Sequence, residues 1–316
     1  MTHEAYEILS NRMVVVAGAC YFMAFLAHLA QWVALRAQVS EVAVPVAVGG
    51  SGEDTAAPAP SPVHGSRAPM AARLGLVLTF FAAIAHIVAT VTRGLAADPV
   101  RVPWGNMYEF TLTATMLVTV VYLIVQARWR MQWLGPIVTC FVMVTLMADA
   151  LLLYTPVVPL RDALQSPWLV IHVIAAVIAT AVFTIGGMCS VLYLIKLRWP
   201  NTRPGGFLDR VPDLTTLDRL AYRMHAFGFP VWTFAALITG PIWAQSAWGR
   251  YWGWDPKEVW AFITWVVYAA YLHARATAGW KGKAAAIVAL IGLATLWFNF
   301  IGINFFFGSG SMHSYA

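Results

Sequence analysis

The chain has 316 residues, of which 60% are hydrophobic and only 11% are charged, and its formal net charge is +6. This composition excludes an ordinary soluble domain, in which about a quarter of the residues are charged. The basic residues lie mainly in the connections between apolar segments, so the net charge gives no reason to expect a nucleic-acid partner. The sequence predicts an all-α, polytopic membrane protein.

Eight segments are apolar over about twenty residues, which is the length that a helix needs to cross a bilayer. We therefore predict about eight transmembrane helices. In chain order the segments are 13–35, 72–91, 107–125, 132–152, 167–194, 222–243, 259–278 and 284–306.

The connection between the first two segments differs in composition from the rest of the chain. Residues 37–70 are rich in alanine, proline, glycine and serine, and they have neither helical periodicity nor an apolar run. They are typical of a disordered cytoplasmic linker. We therefore divide the chain into an N-terminal transmembrane helix at 1–36, this linker, and a compact membrane domain at 71–316. The first helix is expected to be loosely attached, and it is too long and too poorly flanked for a cleavable signal peptide.

The basic residues bunch in alternate connections, which predicts the orientation of the chain. These connections are expected in the cytoplasm beneath a plasma membrane, so the loop before the seventh helix faces outward. Arg93 and Arg101 on the outer side depart from this rule; they are either ordinary exceptions or charges placed near a bound anion. The basic residues that follow the rule are Arg128, Arg130, Lys196, Arg198, Arg203, Arg210, Arg219, Arg223, Arg275, Lys281 and Lys283.

The outward loop contains the run W-G-R-Y-W-G-W-D-P-K-E at residues 248–258. Aromatic faces stack on flat conjugated ligands, and Arg250 and Lys257 can pair with acidic groups at a ligand's edge. A porphyrin with two propionates fits both properties. An interfacial aromatic belt is the alternative, but six tryptophans within residues 243–265 are too concentrated for a belt alone. The candidate ligand contacts are Trp243, Trp248, Arg250, Trp252, Trp254, Asp255 and Trp260.

Two acidic residues of this loop have a second interpretation. Asp255 and Glu258 are candidate proton donors, but at the head of a predicted helix they also suit stabilisation of its N-terminus, which we favour. Pro256 fits the first turn of the same helix.

The three cysteines fall inside predicted helices and form no C-x-x-C pair. Cys20, Cys140 and Cys189 are therefore interpreted as small core residues. Without a C-x-x-C-H sequence, the chain cannot itself carry a covalently attached c-type haem.

Two histidines share the side of the aromatic loop. His172 lies about five residues into the fifth predicted helix from its outer end, and His313 follows the outer end of the eighth. Two neutral imidazoles on opposite faces of a porphyrin are a common ligand pair for haem iron. We predict that these histidines bind the iron of a haem b; for either one alone, a structural histidine with a hydrogen-bonded partner is the alternative.

The other histidines are sorted by depth. His273 lies about 24 Å along the seventh predicted helix, near the cytoplasmic boundary, where it is either an iron ligand or merely interfacial. Depth favours His28 over His86 as its partner within the chain. His225, at the start of the sixth predicted segment among basic residues, is interpreted as a solvated residue at a loop end.

Several motifs together resemble the CcsA (ResC) family of the two-component cytochrome c synthesis system, a haem-handling family marked by a tryptophan-rich outer loop. The resemblance extends from about residue 72 to the C-terminus. It rests on the loop motif at 248–258, W-A-x-I-T-W at 260–265, Y-L-H-x-R at 271–275, H-S-Y at 313–315, W-L-V-I-H at 168–172, G-F-P at 228–230 and N-M-Y-E at 106–109.

This resemblance implies a cytochrome c haem lyase (holocytochrome c synthase) subunit that moves haem outward and attaches it to the C-x-x-C-H thiols of apocytochrome c. His172 and His313 then match the outer iron ligands and His273 one inner ligand. The other inner ligand would come from a CcsB (ResB) partner, in conflict with His28. A thiol-reducing partner is also implied. The reaction needs positioning and no protein nucleophile.

Three alternatives stay open. A haem-binding exporter or chaperone subunit would share the tryptophan motif but lack synthase activity. A b-type electron-transfer subunit needs four intramembrane histidines at two matched depths, and here the depths are mismatched. A solute transporter predicts internal repeats, which we do not find.

Overall fold

The computed structural model describes residues 2–42, 67–129, 131–159, 164–200, 207–307 and 310–313, and within these ranges the regular structure is entirely helical. The all-α prediction is confirmed. The main helices are α1 His3–Val42, α2 Arg67–Leu95, α3 Met107–Trp129, α4 Gln132–Leu153, α5 Pro167–Arg198, α6 Leu214–Trp248, α7 Pro256–Thr277 and α8 Lys283–Phe306.

Each predicted apolar segment falls on one of these helices. Among the described residues, seven of them are long and apolar enough to cross a membrane, and the protein is a multi-pass membrane protein. The remaining helix, α7, has sufficient length but is less apolar, because tryptophans, tyrosines, His273 and Arg275 interrupt its aliphatic residues.

Helix α1 packs closely against α2 and α4, contrary to the expectation of a loosely attached helix. Its Tyr21 and His28 are buried. A Cβ added at Gly75 of α2 or at Gly135 of α4 would lie 2.6 or 2.7 Å from the His28 ring, so both helices make room for this imidazole. Three polar pairs link α1 and α2 at different points along the two helices. They are Glu7–Arg93, Tyr21–His86 and His28–Thr79.

Most of the predicted linker lies outside the described residues. Helix α1 continues to Val42 and α2 begins at Arg67, so both extend into the range assigned to the linker, and residues 43–66 are not described. The division into a first helix, a linker and a membrane domain stays a prediction.

The two arginines that depart from the charge rule pair with a carboxylate of this chain. Arg93 and Glu109 are fully buried, with Arg93 Nε 3.2 Å from Glu109 Oε1. Arg101 Nη1 donates to Glu109 Oε2 over 2.6 Å, and the Gly105 N–H donates to the same oxygen over 2.7 Å. The anion that pairs with these two arginines is therefore the Glu109 carboxylate of this chain.

Helices α6 and α8 each contain a π turn, which is wider than an ordinary helical turn. Both π turns lie beside the same cavity. In α6 the π turn Phe234–Thr239 directly precedes Gly240 and Pro241, and in α8 it covers Phe298–Gly302. Proline removes a backbone donor and crowds the preceding turn, and a π turn accommodates this without ending the helix. Gly240 and Pro241 therefore do not break α6.

Candidate functional site

A cavity of about 1190 Å³, including its open mouth, lies between α5, α6, α7, α8 and the start of α3. Most of its lining is aliphatic or aromatic. Its other polar side chains are His172, Thr180, Lys257, Glu258, Asn299 and His313.

His172 lines the cavity from the second turn of α5. Its Nδ1 lies 2.9 Å from the carbonyl oxygen of Ala235, in the π turn of α6. Because a carbonyl only accepts hydrogen bonds, Nδ1 carries the proton and Nε2 keeps its lone pair. The ring also stacks on Trp243, with centroids 5.9 Å apart and planes 18° apart. The imidazole is thus held in one orientation with Nε2 available to a ligand.

His313 reaches the same cavity from the segment that follows α8. Its Nδ1 lies 3.0 Å from Asp255 Oδ1, and its ring makes edge contacts with Trp248 at 4.4 Å and Trp243 at 5.3 Å between centroids. The carboxylate oxygen accepts, so Nδ1 donates here as well. Both histidines therefore have the same arrangement, with Nδ1 bonded to an oxygen and Nε2 unprotonated when the ring is neutral.

Asp255 joins the head of α7 to this C-terminal segment. Its Oδ1 accepts from the Lys257 N–H at 3.0 Å and from Ser311 Oγ at 2.8 Å, while Oδ2 accepts from the Met312 N–H at 2.7 Å. Burial tends to raise the pKa of Asp255, but the hydrogen bonds from His313, Ser311 and Met312 outweigh burial and hold that pKa well below its usual range. Asp255 is therefore a carboxylate that caps α7 and orients His313. The preferred interpretation of Asp255 as a stabiliser of the helix start agrees with this geometry.

The tryptophan loop has a defined backbone shape. Trp254 adopts a left-handed conformation with φ of 58°, which costs on the order of 1–3 kcal/mol for a residue with a side chain. The Glu258 carboxylate accepts from the N–H groups of Gly253 at 2.8 Å and Asp255 at 3.1 Å, on either side of Trp254. These bonds hold the turn, with Trp252 lining the cavity and Trp254 72% exposed.

The predicted tryptophan contacts occupy different positions. Trp243 and Trp252 line the cavity. Trp248 lies behind them, against Trp243 and His313. Trp260 packs on Phe298 with ring centroids 4.2 Å apart, outside the lining.

The two basic residues of the loop also differ in position. Lys257 is half-buried and lines the cavity. Arg250 is exposed and lies outside the lining, with its guanidinium 3.7 Å from the Met312 sulfur. Lys257 is thus the basic side chain placed to meet an acidic group inside the cavity.

The histidines considered for an inner site do not come together. His273 is exposed on α7. His28 is buried among α1, α2 and α4, where its Nε2 lies 3.3 Å from Thr79 Oγ1, and His86 Nδ1 lies 3.1 Å from the Tyr21 hydroxyl. Neither buried histidine contacts His273.

The prediction for His225 is wrong, because this residue is fully buried. Helix α6 begins at Leu214, well before the predicted start at residue 222, so His225 lies about three turns inside the helix. The signal for this start is Asp213, whose side chain accepts from the Thr216 N–H and caps the helix. The predicted boundary followed the apolar run and missed this polar first stretch.

Two polar groups of the cavity were not identified from the sequence. Asn299 lines the cavity, and its side-chain oxygen is buried without a hydrogen-bond partner among the described residues. The Ala235 carbonyl, which also accepts from the Gly240 N–H and the Thr239 hydroxyl, is the partner of His172 Nδ1. A backbone carbonyl leaves no mark of its own in a sequence.

The fold and the cavity define a class of proteins, the multi-pass helical membrane proteins with a cavity lined by histidines and tryptophans. Residues 104–309 match the family described as Cytochrome C assembly protein. The chain belongs to this family, among the CcsA-type cytochrome c biogenesis proteins.

Relatives and a solved structure agree with this assignment. The cytochrome c biogenesis protein CcsA of Chlamydomonas reinhardtii is 36% identical over 220 residues, covering 68% of this chain and 61% of the relative. The CcsA protein of Porphyra purpurea is 31% identical over 287 residues, covering 77% of this chain and 87% of the relative. The structure named Cytochrome c Heme Lyase CcmF aligns with a TM-score of 0.64 at 15% identity, over 95% of this chain and 47% of that protein, which shows a common fold.

Proposed function

We propose that the cavity binds haem b as a substrate, with Nε2 of His172 and Nε2 of His313 as the two iron ligands. The observation that carries the proposal is that both imidazoles have the same hydrogen-bonding arrangement. Both line one cavity, and each donates its Nδ1 hydrogen to an oxygen, Ala235 O or Asp255 Oδ1. Metal-binding histidines almost always donate the other ring N–H to a carbonyl or carboxylate, which fixes the tautomer and the ring orientation.

The rest of the cavity suits a porphyrin. Its mainly apolar lining includes the indoles of Trp243 and Trp252. Aromatic rings stack on conjugated faces. Lys257 and Asn299 supply donors for the propionate groups.

Attachment to apocytochrome c follows as the activity. A C-x-x-C-H thiol adds its sulfur and its hydrogen across a haem vinyl group, so one S–C and one C–H bond form and no electron acceptor is consumed. Cys20, Cys140 and Cys189 lie outside the cavity lining, and the chain's contribution is to hold haem with an edge at the cavity mouth while thiols approach. The name of the aligned structure, a cytochrome c haem lyase, supports this assignment.

The orientation and the partners are part of the same proposal. The alternating basic connections support an extracytoplasmic position for the tryptophan loop in the plasma membrane. A CcsB-like membrane protein completes the inner site, because His273 is exposed on α7 whereas His28 is enclosed by α1, α2 and α4. Apocytochrome c and a thiol-reducing protein approach from the outer side.

Absorption spectra of the purified protein test the iron ligands. The full chain, expressed with a CcsB-like partner, is expected to carry low-spin haem. His172→Ala and His313→Ala should lose this spectrum and regain it with added imidazole, while His3→Ala, which removes an exposed histidine far from the cavity, should leave it unchanged. Equal haem content in wild type and both cavity variants would overturn the proposal.

A second assay separates synthesis from delivery. If the protein attaches haem, a co-expressed apocytochrome c acquires thioether bonds that survive acid–acetone extraction of free haem. Haem-loaded protein that yields no thioether under reducing conditions would make it an exporter or chaperone subunit instead.

A further inference from the structure

Two stacked aromatic rings lie next to the cavity, just beyond its lining residues. Phe183 of α5 and Tyr268 of α7 lie face to face, with centroids 3.9 Å apart and planes 6° apart. They belong to one hydrophobic cluster with Trp232 and Leu296, which line the cavity. Phe183 follows the lining residue Thr180 by about one helical turn. The Phe183–Tyr268 pair therefore lies directly behind the cavity lining, and we call this pair the floor.

His225 of α6 lies on the other side of this floor. Its ring is 5.9 Å from Phe183, 5.2 Å from Tyr268 and 5.2 Å from Tyr271, measured between centroids. It is fully buried, and neither ring nitrogen has a hydrogen-bond partner among the described residues. An unpartnered polar group inside a membrane protein is costly, and ionisable residues in such positions commonly serve a function.

Three helices have a glycine at the position where one of these rings packs. A Cβ at Gly186 of α5 would lie 2.7 Å from His225 Cε1, and one at Gly228 of α6 would lie 2.6 Å from Phe183 Cε1. A Cβ at Gly292 of α8 would lie 2.9 Å from Tyr268 Cζ. The three rings thus occupy space that three different helices leave open.

Beyond His225, the same helices lead to the end of the bundle that carries His273. Tyr271 contacts His225 and also lies under the Arg275 guanidinium, 5.7 Å from its ring centroid. Arg275 forms two hydrogen bonds with Asp218, at 2.7 and 2.9 Å. His225 is therefore positioned between the proposed outer haem site and the region of His273.

We propose that His225 is a transient ligand of haem iron on the way from the His273 end to the cavity, and that the Phe183–Tyr268 pair is the gate that haem passes. This inference rests on the proposed function. A neutral imidazole whose two nitrogens lack partners can offer either lone pair to iron. The rings of Phe183, Tyr268 and Tyr271 offer flat faces to a porphyrin at the same depth.

A pair of substitutions at His225 tests the ligand role. His225→Leu fills a similar volume without a ligand atom, whereas His225→Met supplies a thioether that binds haem iron. Two quantities are measured on the full chain expressed with its partner: haem retained through purification, and binding of hemin added to haem-free protein in detergent. His86→Leu removes an equally buried histidine in α2 and is the control.

His225→Leu should retain several-fold less haem than wild type, bind added hemin normally through the cavity mouth, and unfold at a higher temperature because the unpartnered imidazole is gone. His225→Met should restore much of the retained haem, and His86→Leu should retain as much as wild type. Retention by His225→Leu equal to wild type overturns the ligand role, as does a Met variant no better than Leu. Wild type that neither retains haem nor binds hemin overturns the proposed function as well.

The gate is tested by its rate. Phe183→Leu removes the stacking partner of Tyr268, so haem supplied inside cells should appear in the cavity sooner after induction than in wild type. A Phe183→Leu time course no faster than wild type overturns the gate.

Discussion

Two buried carboxylates, Glu109 at the start of α3 and Asp255 at the head of α7, gather donors in different ways. Glu109 binds the guanidinium groups of Arg93 and Arg101, so its charge is neutralised inside the protein. Asp255 binds backbone N–H groups, a serine hydroxyl and one nitrogen of His313. The partners of Asp255 include His313, whose second ring nitrogen, Nε2, can bind a ligand. The arginines bound to Glu109 have no such ligand atom. The first carboxylate therefore stabilises the fold and the second prepares a site.

The largest effect is expected from Glu109→Gln, because it leaves Arg93 buried without its main counter-charge. Removing one partner of a buried ion pair typically costs about 3–5 kcal/mol. The midpoint of thermal unfolding in detergent should fall sharply, whereas Glu4→Gln, at an exposed acid, should not change it. A Glu109→Gln protein as stable as wild type would show that this carboxylate does not stabilise the fold.

Asp255→Ala should weaken haem binding by about 10–100-fold, the usual loss when a residue that orients a metal-binding histidine is removed. Asp213→Ala is a matched control, since Asp213 caps α6 through Thr216 without touching a histidine. Hemin titration of both variants separates the two roles of Asp255. Equal weakening in both would mean that Asp255 acts only as a helix cap.

A smaller change should distinguish the two basic residues of the tryptophan loop. Lys257→Ala removes a cation that lines the cavity, and we expect a several-fold loss of hemin affinity. Arg250→Ala removes an exposed cation outside the lining and should have less effect on the same titration. The reverse order would place the propionates at the loop surface instead of inside the cavity.

The smallest effect is expected from Glu7→Gln. Glu7 also pairs with Arg93, but its side chain is 25% exposed and Arg93 keeps Glu109. Partly exposed ion pairs contribute about 0–1 kcal/mol, so the thermal midpoint should shift far less than in Glu109→Gln. A loss as large as that of Glu109→Gln would show that Glu7 is the main counter-charge of Arg93.

The sequence was sufficient for features that single segments determine. Runs of apolar residues predicted the eight main helices, of which seven are long and apolar enough to cross a membrane, because apolar length is a local property. Depth along those helices put His172 and His313 at the same end, and both lie in one cavity lining. Depth alone could not say that their Nδ1 atoms are both bonded to oxygens, since Ala235 and Asp255 belong to other helices.

Features that depend on contacts between helices could not be predicted. Arg93 and Arg101 departed from the charge rule, but their pairing with Glu109 requires α2 and α3 to be packed together. The burial of His225 depends on where α6 begins and on glycines of neighbouring helices. A membrane helix that starts with polar residues is easily assigned too short when apolar residues alone mark its boundary.

The hydrogen bonds from Asp255 to the segment after α8 have a consequence for the timing of assembly. One proposed iron ligand comes from the fifth helix and the other follows the eighth, so the pair exists only after every helix between them has been inserted and α7 and α8 have docked. A molecule stalled during insertion would bind haem through a single imidazole and release it readily. Tight haem binding would then occur only in a completely assembled helix bundle.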